Sequence, residues 1–269
     1  MTDDNLGRER FAFDLARRAG ELAMTYFRNR NSLTIESKGH QDLVSEADRK
    51  VETFVRAAIL EAYPHDGIVG EEHAPTKGAS GFDWVIDPID GTANFVRGIP
   101  AWTVVIAGVR RGVCEVAVIH EPCTGETFHA RRGGGAFLND RPIRTNSTSS
   151  LGEGSVGTGF SNRREARNIV PFIEHLITSG GVFYRNASGA LMLAYVASGR
   201  LLGYVEEHMN AWDCLAGLLL VEEAGGRIVS PDASKVLDDG TVVIAGGSNV
   251  FAEIQSMAAQ AFSVSAEGR

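Results

Sequence analysis

Cysteine is scarce in this chain. Cys114, Cys123 and Cys214 are an odd number with no CxxC spacing, which argues against a disulfide framework or a thiolate-bound structural zinc and fits a reducing compartment. Long apolar runs are missing too: nothing approaches the roughly eighteen residues of a membrane-spanning helix. The opening MTDDNLGRER has no apolar signal core, so the expected location is the cytoplasm, with no membrane partner. Positive charge is in deficit, with a formal net charge of -8. No general basic surface is left to attract nucleic acid, and a small soluble ligand is the better expectation. The seven histidines form no HxH or HExxH pair. RRGGGAFLND at 131 to 140 lacks the strand-then-helix setting and GK[ST] ending of a phosphate loop, so it reads as a tight hairpin.

What remains is a chain of 269 residues, 43% hydrophobic, long enough for a sizeable core in one large domain or two closely packed ones. Phe11, Leu15, Ala19, Leu22 and Tyr26 recur at helical spacing and predict a first amphipathic helix ending near RNRNS. Ser45 followed by Asp48 is a capping-box start for a second, with Val51, Phe54, Val55, Ala58 and Ile59 on one face and Pro64 as its stop. From Gly67 to Arg144 short β-rich runs separated by turn formers predict a mostly antiparallel sheet. The second half alternates: strand SVGTGF, helix 163 to 178, strand GVFYR, helix 189 to 198, strand LLGYVE, helix 212 to 224, strands RIVS and TVVIAG, and a helix near 249 to 262. Layered α/β packing follows, because each amphipathic element must bury its apolar face on another. A soft boundary near NSTSS divides an N-terminal half, 1 to 146, from a C-terminal half, 147 to 269.

Basic residues are absent from two intervals rich in acids. Between Lys77 and Arg97 lie Asp83, Asp87 and Asp90; between Arg200 and Arg227 lie Glu206, Glu207, Asp213, Glu222 and Glu223. Two like charges 4 Å apart repel by about 4 kcal/mol at an effective dielectric of 20, so clustered ionised acids need cations to hold them. Mg²⁺ suits such a set, because it takes oxygen ligands from one or two carboxylates and from substrate phosphate. The stretch VIDPIDGTANF sharpens this expectation. In a regular strand Asp87 and Asp90 would lie on opposite faces, so the chain must bend, and Pro88 is expected to end the strand and open a turn. Together the two acids could hold a pair of ions suited to in-line phosphoryl displacement. The NH groups of Gly91 and Thr92 follow as a phosphate cradle, and the Thr92 hydroxyl could position a water.

Each signal also has a plain structural reading. Asp87 could cap a turn, Glu71 and Glu72 could be an exposed strand end, Asp48 could serve only as the capping acid, and Asp213 could simply favour a helix dipole. Together, however, GEE at 70 to 72, DPIDGTANF at 87 to 95, WDCLAG at 212 to 217 and EEAGG at 222 to 226 resemble the inositol monophosphatase family of magnesium-dependent, lithium-sensitive phosphatases. The likeness runs in order from about Leu15 to the last helix.

That resemblance implies a layered αβαβα sandwich, often a homodimer, with two or three Mg²⁺ ions where the halves meet. It implies Glu71, Asp87 and the Ile89 carbonyl as ligands of a first metal, with Asp87, Asp90 and Asp213 around a second. Glu71 would also help hold a third. Catalytic roles fall to Thr92 and Asp48, which orient and deprotonate the nucleophilic water, and to Glu71 and Asp90. Lys38 and Asp42 match a mobile loop near the site. The implied reaction is hydrolysis of a small phosphate monoester by direct attack of a metal-activated water. Substrate contacts are implied for Asp90, Gly91, Thr92, Ala187, Ser188, Gly189, Glu206 and Asp213.

Departures from the family pattern gather on the substrate wall. Ala187 stands where Gly is more usual, Gly189 where Ala is, and Met192 where many members have Asp or Asn; His208-Met209-Asn210 is another variation. An inositol-1-phosphatase-like activity leads, with histidinol phosphate, fructose 1,6-bisphosphate and 3'-phosphoadenosine 5'-phosphate as alternatives of the same chemistry. A non-catalytic binding or regulatory protein on the same fold is the alternative of another class.

Overall fold

The computed structural model describes residues 2–30, 33–39, 42–161 and 163–267. The chain begins with α1 (Thr2–Arg28), β1 (Ile35–Gly39), β2 (Asp42–Ser45), α2 (Glu46–Ala62), β3 (Gly67–Gly70), β4 (Phe82–Asp90) and α3 (Thr92–Arg97). It continues through β5 (Thr103–Arg110), β6 (Val113–Glu121), β7 (Glu126–Arg131), β8 (Ala136–Leu138), β9 (Arg141–Pro142) and β10 (Ser155–Thr158). Then come α4 (Val170–Thr178), β11 (Val182–Tyr184), α5 (Gly189–Ala197), β12 (Gly203–Met209), α6 (Ala211–Glu223), β13 (Arg227–Ile228), α7 (Val236–Asp239), β14 (Thr241–Gly246) and α8 (Phe251–Glu267).

Strands β3 to β9 form a seven-stranded sheet in chain order, and a five-stranded sheet runs β11-β10-β12-β14-β13. Five layers result. Leu15, Ala19 and Ala23 of α1 and Val51, Val55 and Ile59 of α2 pack on one face of the larger sheet, against Trp84, Ile86, Val104 and Ile106. Its other face, through Val85, Val105, Ala107 and Ile119, meets Leu191 and Leu193 of α5 and Leu215 and Leu218 of α6. The same two helices rest on Tyr204, Val243 and Ala245 of the smaller sheet. Phe172 and Leu176 of α4 and Ile254 and Ala258 of α8 cover its far side. Lying between two sheets, α5 and α6 are apolar almost all round, as a helix without a solvent face must be. Covered on both faces, β5 and β6 carry near-continuous apolar runs instead of alternating ones.

Arg8 of α1 shows how the outer layer is held. Its guanidinium lies 3.9 Å from the Phe82 ring centroid and 4.4 Å from that of Tyr63. It donates to the buried Asp66 carboxylate, which also accepts from Ser80 Oγ at 2.6 Å and Trp84 Nε1 at 3.0 Å. A buried carboxylate in this setting is tolerable only because several donors satisfy it.

Most predicted elements are present, with two differences of substance. First, β4 does not stop at Asp87. It runs on to Asp90 as a β-bulge: Asp87 pairs with Val105 and Asp90 with Thr103, so three steps on β4 oppose two on β5. Second, the helix expected over 163 to 178 begins only at Val170. Pro171 sits in its first turn, where a missing NH costs nothing, and a short 3₁₀ turn, Ala166–Asn168, precedes it. The larger sheet is mostly antiparallel, as expected, with β3 and β4 as its parallel pair. The hairpin of β1 and β2 had no forecast, because IESKGHQDLVS is polar and lacks alternation. The side chains of Lys38 and Asp42 lie outside the described residues. RRGGGAFLND forms the expected hairpin, with Gly134 N donating to Arg131 O at 2.8 Å and β7 pairing with β8.

Candidate active site

The bulge in β4 sets the geometry. Before it, Val85 faces α5 and α6 while Trp84 and Ile86 face α1 and α2. After it, Ile89 turns to the α1/α2 side. One extra residue reverses the alternation of a strand, so Asp87 and Asp90 come to the same face three residues apart. Ile89 N donates to Asp87 Oδ1 at 2.9 Å and holds the bulge. Asp213, in the first turn of α6, joins the two acids: one carboxylate oxygen of each lies within 4.8 Å of the others. Asp213 is placed by a capping box, its Oδ2 accepting from Asn210 N and Nδ2 at 3.1 Å each.

Asp90 binds the two halves of the chain. Its Oδ2 accepts from Ser188 Oγ and, at 2.9 Å, from Ala190 N, and its Oδ1 accepts from Gly189 N at 3.2 Å. It therefore caps α5 from about one hundred residues away, satisfying amides that a helix start leaves free. Nearby, Asn94 Nδ2 donates to Asn186 O at 2.6 Å and ties α3 to the loop before α5.

Glu71 directly follows β3, beside Asp87 in register, since Gly70 pairs with Ile86. It stands outside the triad, although its charge raises the Asp87 pKa. The loop carrying Glu71 is held by a residue with no role foreseen. Glu52 of α2 is fully buried and accepts from Glu72 N at 2.7 Å, His73 N at 3.3 Å and Arg56 Nε at 2.7 Å. A Cβ on Gly70 would lie 2.2 Å from the Glu52 carboxylate, which accounts for glycine there. The signal was an acid beside Val51 on the apolar side of α2, a place where burial demands partners.

Thr92 begins α3 behind Gly91, whose φ of 99° is left-handed. A side chain at Gly91 would also crowd the Ala101 carbonyl at 3.0 Å. Thr92 Oγ1 donates to Asp48 Oδ1 at 3.0 Å and lies 3.1 Å from the Ile89 carbonyl oxygen. Asp48 is also the capping-box acid: its Oδ2 accepts from Ser45 N at 2.8 Å and Ser45 Oγ at 2.6 Å. The capping reading of Asp48 therefore holds through Oδ2, and Oδ1 is left to the Thr92 hydroxyl.

The acids share one electrostatic signature. Burial, then the charges of Glu71, Asp90 and Asp213, push the Asp87 pKa well up. Burial raises Asp90 against the opposing hydrogen bonds from Ser188, Ala190 and Gly189. Burial and then the charge of Asp90 bring Asp213 to about 7. Burial raises Asp48 as well. Carboxylates packed this closely are costly to ionise together; a hard divalent ion would offset their repulsion, and an all-oxygen donor set fits such an ion.

A cavity of about 200 Å³ opens beside the triad, lined by Asp90, Asp213, Glu206, Tyr204, Met192 and Met209 among others. Glu206 accepts from Tyr204 OH, and burial lifts its pKa to about 7. Ala187 and Gly189 flank the cavity. Ala187 has a φ of 64°, in the region that glycine enters more easily. A larger cavity of about 480 Å³ between α1 and the β7–β8 edge, where Glu9 bridges His129 and Arg131, contains none of these acids.

With this geometry in view, comparison with known proteins is decisive. The chain matches the inositol monophosphatase family over residues 7–263. It belongs to that family, whose members are metal-dependent phosphatases. It is 39% identical over 230 residues to an inositol-1-monophosphatase of Rhizobium meliloti, covering 84% of this chain and 86% of that one. It is also 37% identical over 247 residues to the Nus factor SuhB of Pseudomonas aeruginosa, covering 89% and 91%. Among solved structures, the extragenic suppressor protein suhB of Bartonella henselae superposes with a TM-score of 0.87 at 31% identity, covering 93% of this chain and 97% of that one. Phosphatase chemistry and the layered fold follow from family membership. Among the described residues no helix is long and apolar enough to cross a membrane.

Proposed function

We propose that this phosphatase is a Mg²⁺-dependent hydrolase of small phosphate monoesters, inositol-1-phosphatase-like, in which water attacks phosphorus directly. The observation that carries this reading is the triad Asp87, Asp90 and Asp213 within 4.8 Å, next to a Thr92–Asp48 pair hydrogen-bonded at 3.0 Å.

Glu71, Asp87, the Ile89 carbonyl, Asp90 and Asp213 would hold two or three Mg²⁺ ions, which would supply Lewis-acid charge and lower the pKa of a water. The rest falls to the chain. Thr92 Oγ1, held by Asp48 and the Ile89 carbonyl, accepts a hydrogen bond from the attacking water and passes a proton to Asp48 Oδ1. That oxygen is the one Ser45 leaves open, and burial makes it a stronger base than an exposed carboxylate. The NH groups of Gly91 and Thr92 bind the phosphoryl oxygens. Glu206, oriented by Tyr204 OH, accepts from a hydroxyl of the alcohol. Residues 1 to 146 thus supply most of the charge and the base, and residues 147 to 269 supply the alcohol pocket and Asp213. We further assign a homodimer, sensitivity to Li⁺ and no nucleic-acid substrate, as the family resemblance and the acidic balance suggest.

The test is phosphate release, with and without Mg²⁺, from inositol 1-phosphate, glycerol 2-phosphate, histidinol phosphate, fructose 1,6-bisphosphate and 3'-phosphoadenosine 5'-phosphate. Mg²⁺-dependent turnover with inositol 1-phosphate preferred is the expected result. Preference for another ester moves the substrate within the same chemistry. Silence across the panel favours a regulatory role, a second reading supported by the Nus-factor name of the Pseudomonas aeruginosa relative.

A further inference from the structure

Three polar residues follow one another at one-turn intervals on α2: Asp48, Glu52 and Arg56. At spacings of four they share a face of the helix. Asp48 accepts from Thr92. Further along the same face, Glu52 and Arg56 form an ion pair, with 2.7 Å between Arg56 Nε and Glu52 Oε1 and side chains 11% and 0% exposed for Arg56 and Glu52. Together these two grip the stretch from Gly70 to Thr76.

The grip is closest on either side of Glu71. Before it, the Glu52 carboxylate fills the place where a side chain at Gly70 would begin. After it, Glu52 Oε2 accepts from Glu72 N at 2.7 Å, so the peptide plane joining Glu71 to Glu72 is held by a buried oxygen. His73 N donates to Oε1 at 3.3 Å. Arg56 takes the same stretch from its acceptor side, donating from Nη2 to His73 O at 3.1 Å and from Nη1 to Thr76 Oγ1 at 3.3 Å. Thr76 pairs in turn with Ile68 of β3, N to O in both directions at 2.8 Å, which closes the loop onto the strand it leaves.

The backbone of Glu71 is therefore fixed by contacts before and after it that leave its side chain out. A ligand carboxylate gains from this, because a backbone ordered before the ion arrives has less conformational entropy to lose on binding. A buried ion pair gives little net stability once desolvation is counted; what this pair gives is a fixed loop. We infer that Glu52, with Arg56, is a positioning residue for the metal site: acting through the backbone of Glu71, it sets the affinity for Mg²⁺ and leaves the Thr92–Asp48 pair, and with it the rate of the metal-saturated protein, largely alone. This inference rests on the reading of Glu71 as a metal ligand.

The test is calorimetric titration of the full chain with Mg²⁺ alone, without substrate, well below the thermal midpoint of each variant. Glu52→Ala should raise the Kd for Mg²⁺ about 10-fold, as losing a group that orients a metal ligand does. Glu52→Gln keeps the shape but turns one acceptor into a donor, so it should raise the Kd less, about 3-fold, as for one hydrogen bond lost. It also carries the test if the alanine variant does not fold. Arg8→Ala, destabilised in the same outer layer, should keep the parent Kd and so separates position from stability. In phosphate release, the Glu52 variants should need more Mg²⁺ for half-maximal rate and should regain most of the parent kcat when Mg²⁺ is saturating. A parent Kd in the folded Glu52 variants, an equal rise in Arg8→Ala, or a kcat that excess Mg²⁺ does not restore overturns the inference while leaving the phosphatase reading intact. A parent chain that binds no Mg²⁺ overturns the metal reading along with it.

Discussion

At the scale of single residues, the site rests on atoms that do two things at once. Thr92 Oγ1 touches both Asp48 Oδ1 and the Ile89 carbonyl, so removing it should disable the water without disturbing the fold. Thr92→Ala is expected to lower kcat by about 10² to 10⁴, the usual contribution of a placed proton acceptor, while shifting the thermal midpoint little. Steady-state kinetics with a thermal melt checks both parts. Asp90→Asn should abolish turnover by removing one metal charge; phosphate release at the parent rate would sink the metal-site assignment. In Asp90→Asn the new amide would also meet one of the donors on Ser188, Gly189 or Ala190, so a modest loss of stability accompanies it. Asp87, Asp90 and Asp213 were legible because no Lys or Arg lies near them in sequence. Glu52 was not, because its partners Glu72 N and His73 N become neighbours only when α2 lies along the β3 loop.

At the scale of elements, caps and bulges decide position. Ser45 starts α2 and also grips Asp48. Ser45→Ala should therefore cost about 1 kcal/mol of stability, as a lost N-cap does, and should lower kcat as well, because Asp48 loses the Ser45 Oγ contact on its second oxygen and keeps only the one from Ser45 N. A variant that is destabilised with undiminished kcat would separate the two roles and argue against Asp48 as the base. In the outer layer, Arg8 is ion-paired with buried Asp66 and stacked on Phe82 and Tyr63. Arg8→Ala should cost about 3–5 kcal/mol by leaving a buried carboxylate without its partner, measured by urea unfolding, and should leave metal binding as it was. The helix starts at Ser45 and Asp213 could be read locally, since capping spans only three residues. The bulge at Pro88 could not, because a bulge is defined by the strand opposite it, and DPID alone suits a turn equally well.

At the scale of the whole molecule, one core cluster joins both sheets through α5 and α6, so unfolding should be a single cooperative transition with no separately stable half. Its pH dependence follows from the site. Asp213 and Glu206, with ordinary values of 3.8 and 4.5, are raised to about 7 in the folded chain, and Asp87 and Asp90 are raised too. The metal-free folded protein thus binds more protons than the unfolded chain between about pH 4 and 7, and its stability falls as pH rises across that window. Mg²⁺ at about 100 times its Kd should add about 2.7 kcal/mol at pH 8, raising the melting temperature by about 5–10 °C, and should add much less at pH 5, where protons compete for the same oxygens. Calorimetry at the two pH values, with and without Mg²⁺, checks the sign; an equal gain at both would contradict the assignment of these acids as the binding groups.

The sequence by itself determined the helices with amphipathic spacing and caps, the run of strands from Gly67 to Arg144, and the identity of the acids, because periodicity, capping and local charge are properties of neighbours along the chain. Only the tertiary structure decided that Asp87 and Asp90 share a face, that Asp90 caps α5 from the other half, and that Glu52 of α2 holds the backbone beside Glu71. Each depends on which segments, some of them about a hundred residues apart, come into contact, and no local pattern records that.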